Sequence, residues 1–236
     1  MRELTAEFIG TMLLVLLTDG TAATARLARS HGVGGNWLTI AVGSAIAVSI
    51  AVGLAGPISG GHVNPAVTLS LAAWGLFPAE RVAAYVGAQL AGGFSGAVLV
   101  WLLFWRHWEA TSDPAVKRGV FCTGPAIRYW PANLATECVG TAVLALGVGA
   151  AVAGRVPGAV VPWWIGGLVL AIGLALGGTT GMAWKLARDF ALRLVYALVP
   201  TPERGSPDWR CGGYRWPTAW WVHSPTLGSS LVCRVW

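Results

Sequence analysis

The chain has 236 residues, of which 55% are hydrophobic and only 11% charged, against roughly 25% charged in a typical soluble domain. Runs without Asp, Glu, Lys or Arg cover residues 30–79, 82–105 and 156–184, each longer than the ~20 apolar residues that cross a bilayer, and a soluble chain of this size lacks the polar residues to cover several such stretches. The formal charge of +6 is scattered between the apolar runs rather than gathered on one face, which speaks for loops beside lipid headgroups and against nucleic acid.

The first apolar run, residues 8–17, follows Arg2 and precedes the small residues Ala23-Thr24-Ala25, a pattern that mimics a cleavable leader. Glu7 argues otherwise. The hexapeptide Ala6-Glu7-Phe8-Ile9-Gly10-Thr11 recurs as Thr136-Glu137-Cys138-Val139-Gly140-Thr141, 130 positions later, where no leader can stand. The repeat divides the chain into two related halves joined by a polar stretch over residues 106–128, an arrangement that in membrane proteins often means inverted topology. In the first half, helices are expected over 4–27, 37–55 and 80–105, with a short amphipathic piece over 64–75. In the second, spans are expected over 132–153 and 157–176, with a short piece over 187–198.

Small residues four apart, Gly92 with Gly96 and Gly173 with Gly177, have the spacing of close helix crossings. A sixth span is hard to find. Residues 208–236 carry Arg210, Arg215 and Arg234 and the breakers Pro217 and Pro225, a poor composition for a lipid-facing helix. Cys122, Cys138, Cys211 and Cys233 show neither CxxC nor ligand spacing with His31, His62, His107 or His223, so no metal or other cofactor is expected and the thiols read as packing groups.

The sharpest motif is Ser59-Gly60-Gly61-His62-Val63-Asn64-Pro65-Ala66-Val67-Thr68. Asn64 suits a helix N-cap and carries an amide that can donate to a permeant oxygen. Pro65 suits the first helical position because it has no N–H to satisfy. Asn-Pro alone is an ordinary helix start; the whole decapeptide, together with the repeat and the apolar runs, resembles the first signature loop of the aquaporin family. The stretches Trp108-Glu109-Ala110-Thr111-Ser112-Asp113-Pro114 and Val120-Phe121-Cys122-Thr123-Gly124-Pro125-Ala126-Ile127-Arg128 resemble the long loop of bacterial glycerol facilitators. The second signature loop is visible in Gly177-Gly178-Thr179-Thr180-Gly181-Met182-Ala183 and Ala187-Arg188-Asp189-Phe190, with Lys185-Leu186 where the family has Asn-Pro.

The resemblance implies an all-α membrane protein: a six-span inverted-repeat bundle with two re-entrant half-helices over residues 1–208, and residues 209–236 as an atypical tail in place of the last span. It also implies a multi-pass protein of the cell membrane, surrounded by lipid and assembled as a homotetramer. Arg188 falls on the filter arginine, with Ser44, Gly173 and Met182 on the other filter positions. Asp189 marks glycerol-conducting members, Glu7 and Glu137 brace the two loops from behind, and His62 stands at one pore mouth. Asn64, Pro65 and Ala66 face Lys185, Leu186 and Ala187 as the paired pore motifs.

These matches imply a passive channel for glycerol, other small polyols and water. Lys185 and Leu186 leave a non-conducting member as the alternative. An ion-coupled transporter would need a coupling-ion site, for which Glu7 and Glu137 are thin support. An enzyme is not expected, because no nucleophile–base pair or metal cluster stands out.

Overall fold

The computed structural model describes residues 1–182 and 186–209, the side chains of Leu186 and Ala187 excepted. Its α-helices are α1 (Arg2–Arg26), α2 (Trp37–Ser59), α3 (Pro65–Ala73), α4 (Val82–Leu103), α5 (Trp105–Ala110), α6 (Pro114–Phe121), α7 (Trp130–Val152), α8 (Val161–Ala175), α9 (Gly177–Thr180) and α10 (Leu186–Leu198). No strand occurs among the described residues. Short 3-10 turns, Ala79–Arg81 and Gly158–Val160, lead into α4 and α8 and lengthen both spans. Five of the described helices or helix-plus-turn segments, those containing α1, α2, α4, α7 and α8, are long and apolar enough to cross a membrane. The expected tail, from residue 210 onward, lies outside the described residues.

The elements start where the local chemistry allows. Asn36 caps α2, its side chain accepting the amide of Thr39 at 3.2 Å. On α2 the exposed residues Leu38, Val42, Ile46, Ile50, Leu54 and Ile58 recur every fourth position, a stripe along one helix face that hydrocarbon solvates and water does not. Exposed aromatics gather near span ends, at Trp105, Tyr129, Trp130, Trp163 and Trp164, where an apolar ring with a polar tip suits the membrane–water interface.

Helix α1 packs against both α2 and α4, and α2 also packs against α8. The α1–α4 crossing brings backbone onto backbone. A Cβ on Gly92 would overlap the carbonyl oxygen of Phe8, and one on Gly96 would sit 2.5 Å from that of Met12. The second small-residue pair serves a different purpose. An added Cβ on Gly177 would lie 2.6 Å from Met182 Cγ and 2.7 Å from Trp37 Cζ2, so Gly173 and Gly177 form a notch for two side chains rather than a helix crossing.

The polar connection between the halves holds two short helices that its composition did not announce. Asp113 starts α6 by accepting the amide of Ala115 at 2.7 Å, with Pro114 at the first position, and Trp108 of α5 stacks on Phe121 of α6 with centroids 5.2 Å apart. The halves also differ in one element. Where α2 runs unbroken to Ser59, its counterpart is interrupted at Leu176 and resumes as α9.

Candidate functional site

Between α2 and α3 the chain turns back into the bundle through Gly60 at φ 88°, Gly61 at φ 65° and Val63 at φ 41°. A β-branched residue in the left-handed region costs of order 1–3 kcal/mol and persists only where neighbours over-determine it. Glu7 supplies that constraint. Its carboxylate, fully buried, accepts the amide of His62 at 2.9 Å and the Ser59 hydroxyl at 2.6 Å on Oε1. On Oε2 it accepts the amide of Val63 and the Gln89 side chain, each at 2.7 Å. Four donors on one carboxylate offset the loss of its hydration. Gln89 also donates to Thr68 Oγ1 at 3.0 Å, which ties α3 to α4.

The loop delivers Asn64 to the start of α3, where its Oδ1 accepts the amide of Ala66 at 3.1 Å and Pro65 takes the first helical position. His62 is held in place, its Nδ1 lying 3.1 Å from Thr68 Oγ1 and its ring meeting Phe77 edge-on at 4.7 Å.

Where it is described, the second loop repeats the backbone of the first. Gly181 at φ 84° and Met182 at φ 62° stand 121 positions after Gly60 and Gly61 and adopt the same left-handed pair. The same offset carries Asn64 to Lys185. Lys185 and the side chains of Leu186 and Ala187 lie outside the described residues, so the second pore motif is represented by the backbone of α10 alone. Glu137 is as fully buried as Glu7.

Two consecutive residues of the first turn of α10 take opposite tasks. Arg188 reaches α1, where its Nε donates to Asp19 Oδ1 at 3.1 Å and its Nη2 donates to the same oxygen. The side chain of Asp19 is wholly inaccessible and that of Arg188 is 8% exposed. Asp189 instead accepts the Thr123 hydroxyl at 2.8 Å and both Nε and Nη2 of Arg193 at 3.0 Å. Arg193, buried as deeply, donates to the carbonyls of Thr123 at 2.6 Å and Pro207 at 2.7 Å. Asp189 is therefore a cross-brace between α10, the loop after α6 and the segment after α10.

Two cavities lie along α1. The first, about 130 Å³, has walls that include Leu14, Val48, Val52 and Leu71, with His62 and Asn64 as its polar side chains. The second, about 410 Å³, is lined by Ala22, Trp37, Gly177 and Arg188 among others, and by four further arginines. Leu14 and Ala22 are eight residues apart, so the cavities are stacked roughly 12 Å apart along the helix axis. Next to the second cavity, burial pushes the Cys122 thiol up to about 12, which keeps it a neutral packing group. At the same rim burial works against the charge of Asp208, but the hydrogen bond and charge of Arg128, helped by Arg118 and Arg193, hold its carboxyl below the usual range.

Of the residues expected from sequence, His62, Asn64 and Arg188 line a cavity. Ser44 is buried and lines neither of the two. At Gly173 the Met182 thioether fills the space beside the backbone, since an added Cβ would lie 3.0 Å from Met182 Cε. Trp37 closes the same corner, its indole N–H donating to the Gly173 carbonyl at 2.9 Å.

Sequence reasoning passed over Asp19, Gln89, Trp37 and Arg193. Asp19 carried a signal, a third carboxylate inside an apolar span. For Arg193 the signal was its spacing of one helical turn from Asp189.

Apolar spans in two related halves, each sending the chain back inside through a left-handed turn and a short helix, define a polytopic membrane protein built on an inverted repeat. Among the described residues His62 and Asn64 line one interior cavity and Arg188 the other. The chain belongs to the major intrinsic protein family, whose model matches residues 1–234. It is 46% identical over 227 residues to the "probable glycerol uptake facilitator protein" of Thermotoga maritima, covering 96% of each chain. It is 41% identical to the glycerol uptake facilitator protein of Bacillus subtilis, over 95% of this chain and 80% of that one. The solved aquaglyceroporin from Plasmodium falciparum superposes with a TM-score of 0.77 at 25% identity, over 99% of this chain and 93% of the other.

Proposed function

We propose that the chain is a passive channel for glycerol and other small neutral solutes, with water as a second permeant. The observation that carries this reading is the pair of cavities in series along α1, one presenting Asn64 and the other Arg188. The first cavity has mainly aliphatic walls with His62 and Asn64 among them, a surface that suits a molecule with a carbon skeleton on one side and hydroxyls on the other. Arg188 uses Nε and Nη2 on Asp19, and Nη1 is the nitrogen that a solute hydroxyl would meet. The relatives named as glycerol uptake facilitators support the same substrate class.

In this reading Asn64 donates to the solute at mid-path, Arg188 at the constriction, and Glu7 and Glu137 hold the loops. The two half-helix N-termini, each worth about half a positive charge, oppose cations. The protein would work as a homotetramer in a bacterial cell membrane. Osmotic swelling of vesicles in glycerol, urea and water is the test: glycerol flux well above that of empty vesicles, without cation current, is expected. Absence of glycerol flux with matched protein in the membrane would remove the reading.

A further inference from the structure

Five arginines line the second cavity: Arg26, Arg118, Arg128, Arg188 and Arg193. Three have carboxylate partners, Arg188 on Asp19, Arg193 on Asp189 and Arg128 on Asp208. Among the described residues neither Arg26 nor Arg118 has an ion pair. Four of the chain's other carboxylates are committed elsewhere. Glu3 pairs with Arg81 and Glu109 with Arg106, Asp113 caps α6, and Glu7 is spent on the first loop. The undescribed residues 183–185 and 210–236 contain no Asp or Glu at all, so they bring no acidic side chain to this wall.

Both of these cations without an ion pair line the same cavity. Arg26, at the end of α1, donates from Nη1 to the Gly119 carbonyl at 2.8 Å, and Gly119 directly follows Arg118 on α6. Gly119 has no side chain to fill the space that the Arg26 guanidinium takes, for a Cβ there would collide with Nη1. One carbonyl leaves most of the five N–H donors of Arg26 without a described partner. Two guanidinium groups without an ion pair in one cavity concentrate anions there.

We propose that this vestibule binds a small oxyanion, a carboxylate or a phosphate, held between Arg26 and Arg118. The planar fork of guanidinium matches two oxygens of such a group and discriminates against a spherical halide. A volume of about 410 Å³ admits an anion with a short carbon skeleton. Because Arg188 lines the same cavity, the bound anion sits over that end of the solute path. If the channel reading holds, it slows glycerol entry from that side; the site itself does not depend on conduction.

The test is calorimetric titration of the purified full-length chain in detergent with inorganic phosphate and, in a second arm, glycerate, against sodium chloride of equal ionic strength. Saturable binding of one anion per chain is expected for at least one arm and not for chloride, and the stronger arm identifies the headgroup chemistry. Arg26→Gln and Arg118→Gln should each weaken binding about tenfold or more, Arg118→Lys less because it keeps the charge and loses only the fork. Arg81→Gln, on a residue paired with Glu3 elsewhere, should leave it unchanged. A thermal melt of each variant checks folding. No saturable binding in either arm, or binding in both Gln variants as tight as in the natural chain, overturns the proposal. Binding without glycerol swelling would sink the channel reading and leave this one standing.

Discussion

Asp19 and Arg188 form a buried ion pair linking the first and last described helices of the bundle. A carboxylate at that depth is costly alone, and so is a guanidinium; each is tolerable because the other is there. Asp19→Asn therefore strands Arg188 and should destabilise the protein by about 3–5 kcal/mol. Arg188→Gln should cost a similar amount and the double variant clearly less than the two together, a coupling that thermal melts in detergent can measure. Additive effects would mean that the pair contributes nothing to the folded state. Asp208 makes a pH-dependent tether to Arg128. Its carboxyl is held below the usual range, so the tether's stabilisation is fully present above roughly pH 4 and is lost as pH falls through the depressed value. Protease cleavage near residues 200–209 should be faster in Asp208→Asn than in the natural chain at pH 7, and the difference should shrink as pH falls through the depressed value. Equal cleavage of the two proteins at pH 7 would remove the tether.

At the scale of the elements, the α1–α4 crossing makes the sharpest claim. Gly92 has no room for a Cβ because backbone occupies the place, whereas Gly87 on the same helix has nothing within 4 Å. Gly92→Ala should cost about 1–3 kcal/mol or more, since a backbone carbonyl gives way less easily than a side chain. Gly87→Ala should be neutral or slightly stabilising through helix propensity. Yield of monodisperse protein and melting temperature separate the two; equal behaviour would show that the helices can part at no cost. The long apolar spans were legible because twenty consecutive apolar residues leave little choice of structure. Helices α5 and α6 were not, although Asp113-Pro114 carried the start signal, because six to eight residues between polar neighbours show no periodicity of their own. The expected span over 157–176 ends where α8 gives way to α9, but the short α9 did not announce itself.

The whole molecule is a repeat whose halves differ in the sequence of their signature loops. The left-handed pair Gly60-Gly61 is reproduced by Gly181-Met182, while Asn64-Pro65 corresponds to Lys185-Leu186. Restoring Lys185→Asn with Leu186→Pro removes a cation and returns an amide donor and a helix-starting proline, with Arg188 unchanged. Glycerol flux in vesicles should rise over that of the natural chain. An equal and already high flux in both proteins would place Lys185 out of the solute path.

By itself the sequence determined the solvent, the spans and the repeat, because charge-free runs, a duplicated Glu-containing hexapeptide and an Asn-Pro-Ala motif are local properties of a chain. The resemblance implied that Glu7 sits behind its loop, and there its carboxylate accepts four hydrogen bonds. Tertiary structure alone decided which groups meet across the chain. Asp19 lies 169 positions from Arg188, Arg193 reaches back 70 to Thr123, and Arg26 finds Gly119 across 93. No spacing rule connects such pairs, because helix packing sets their separation in space independently of their distance along the chain.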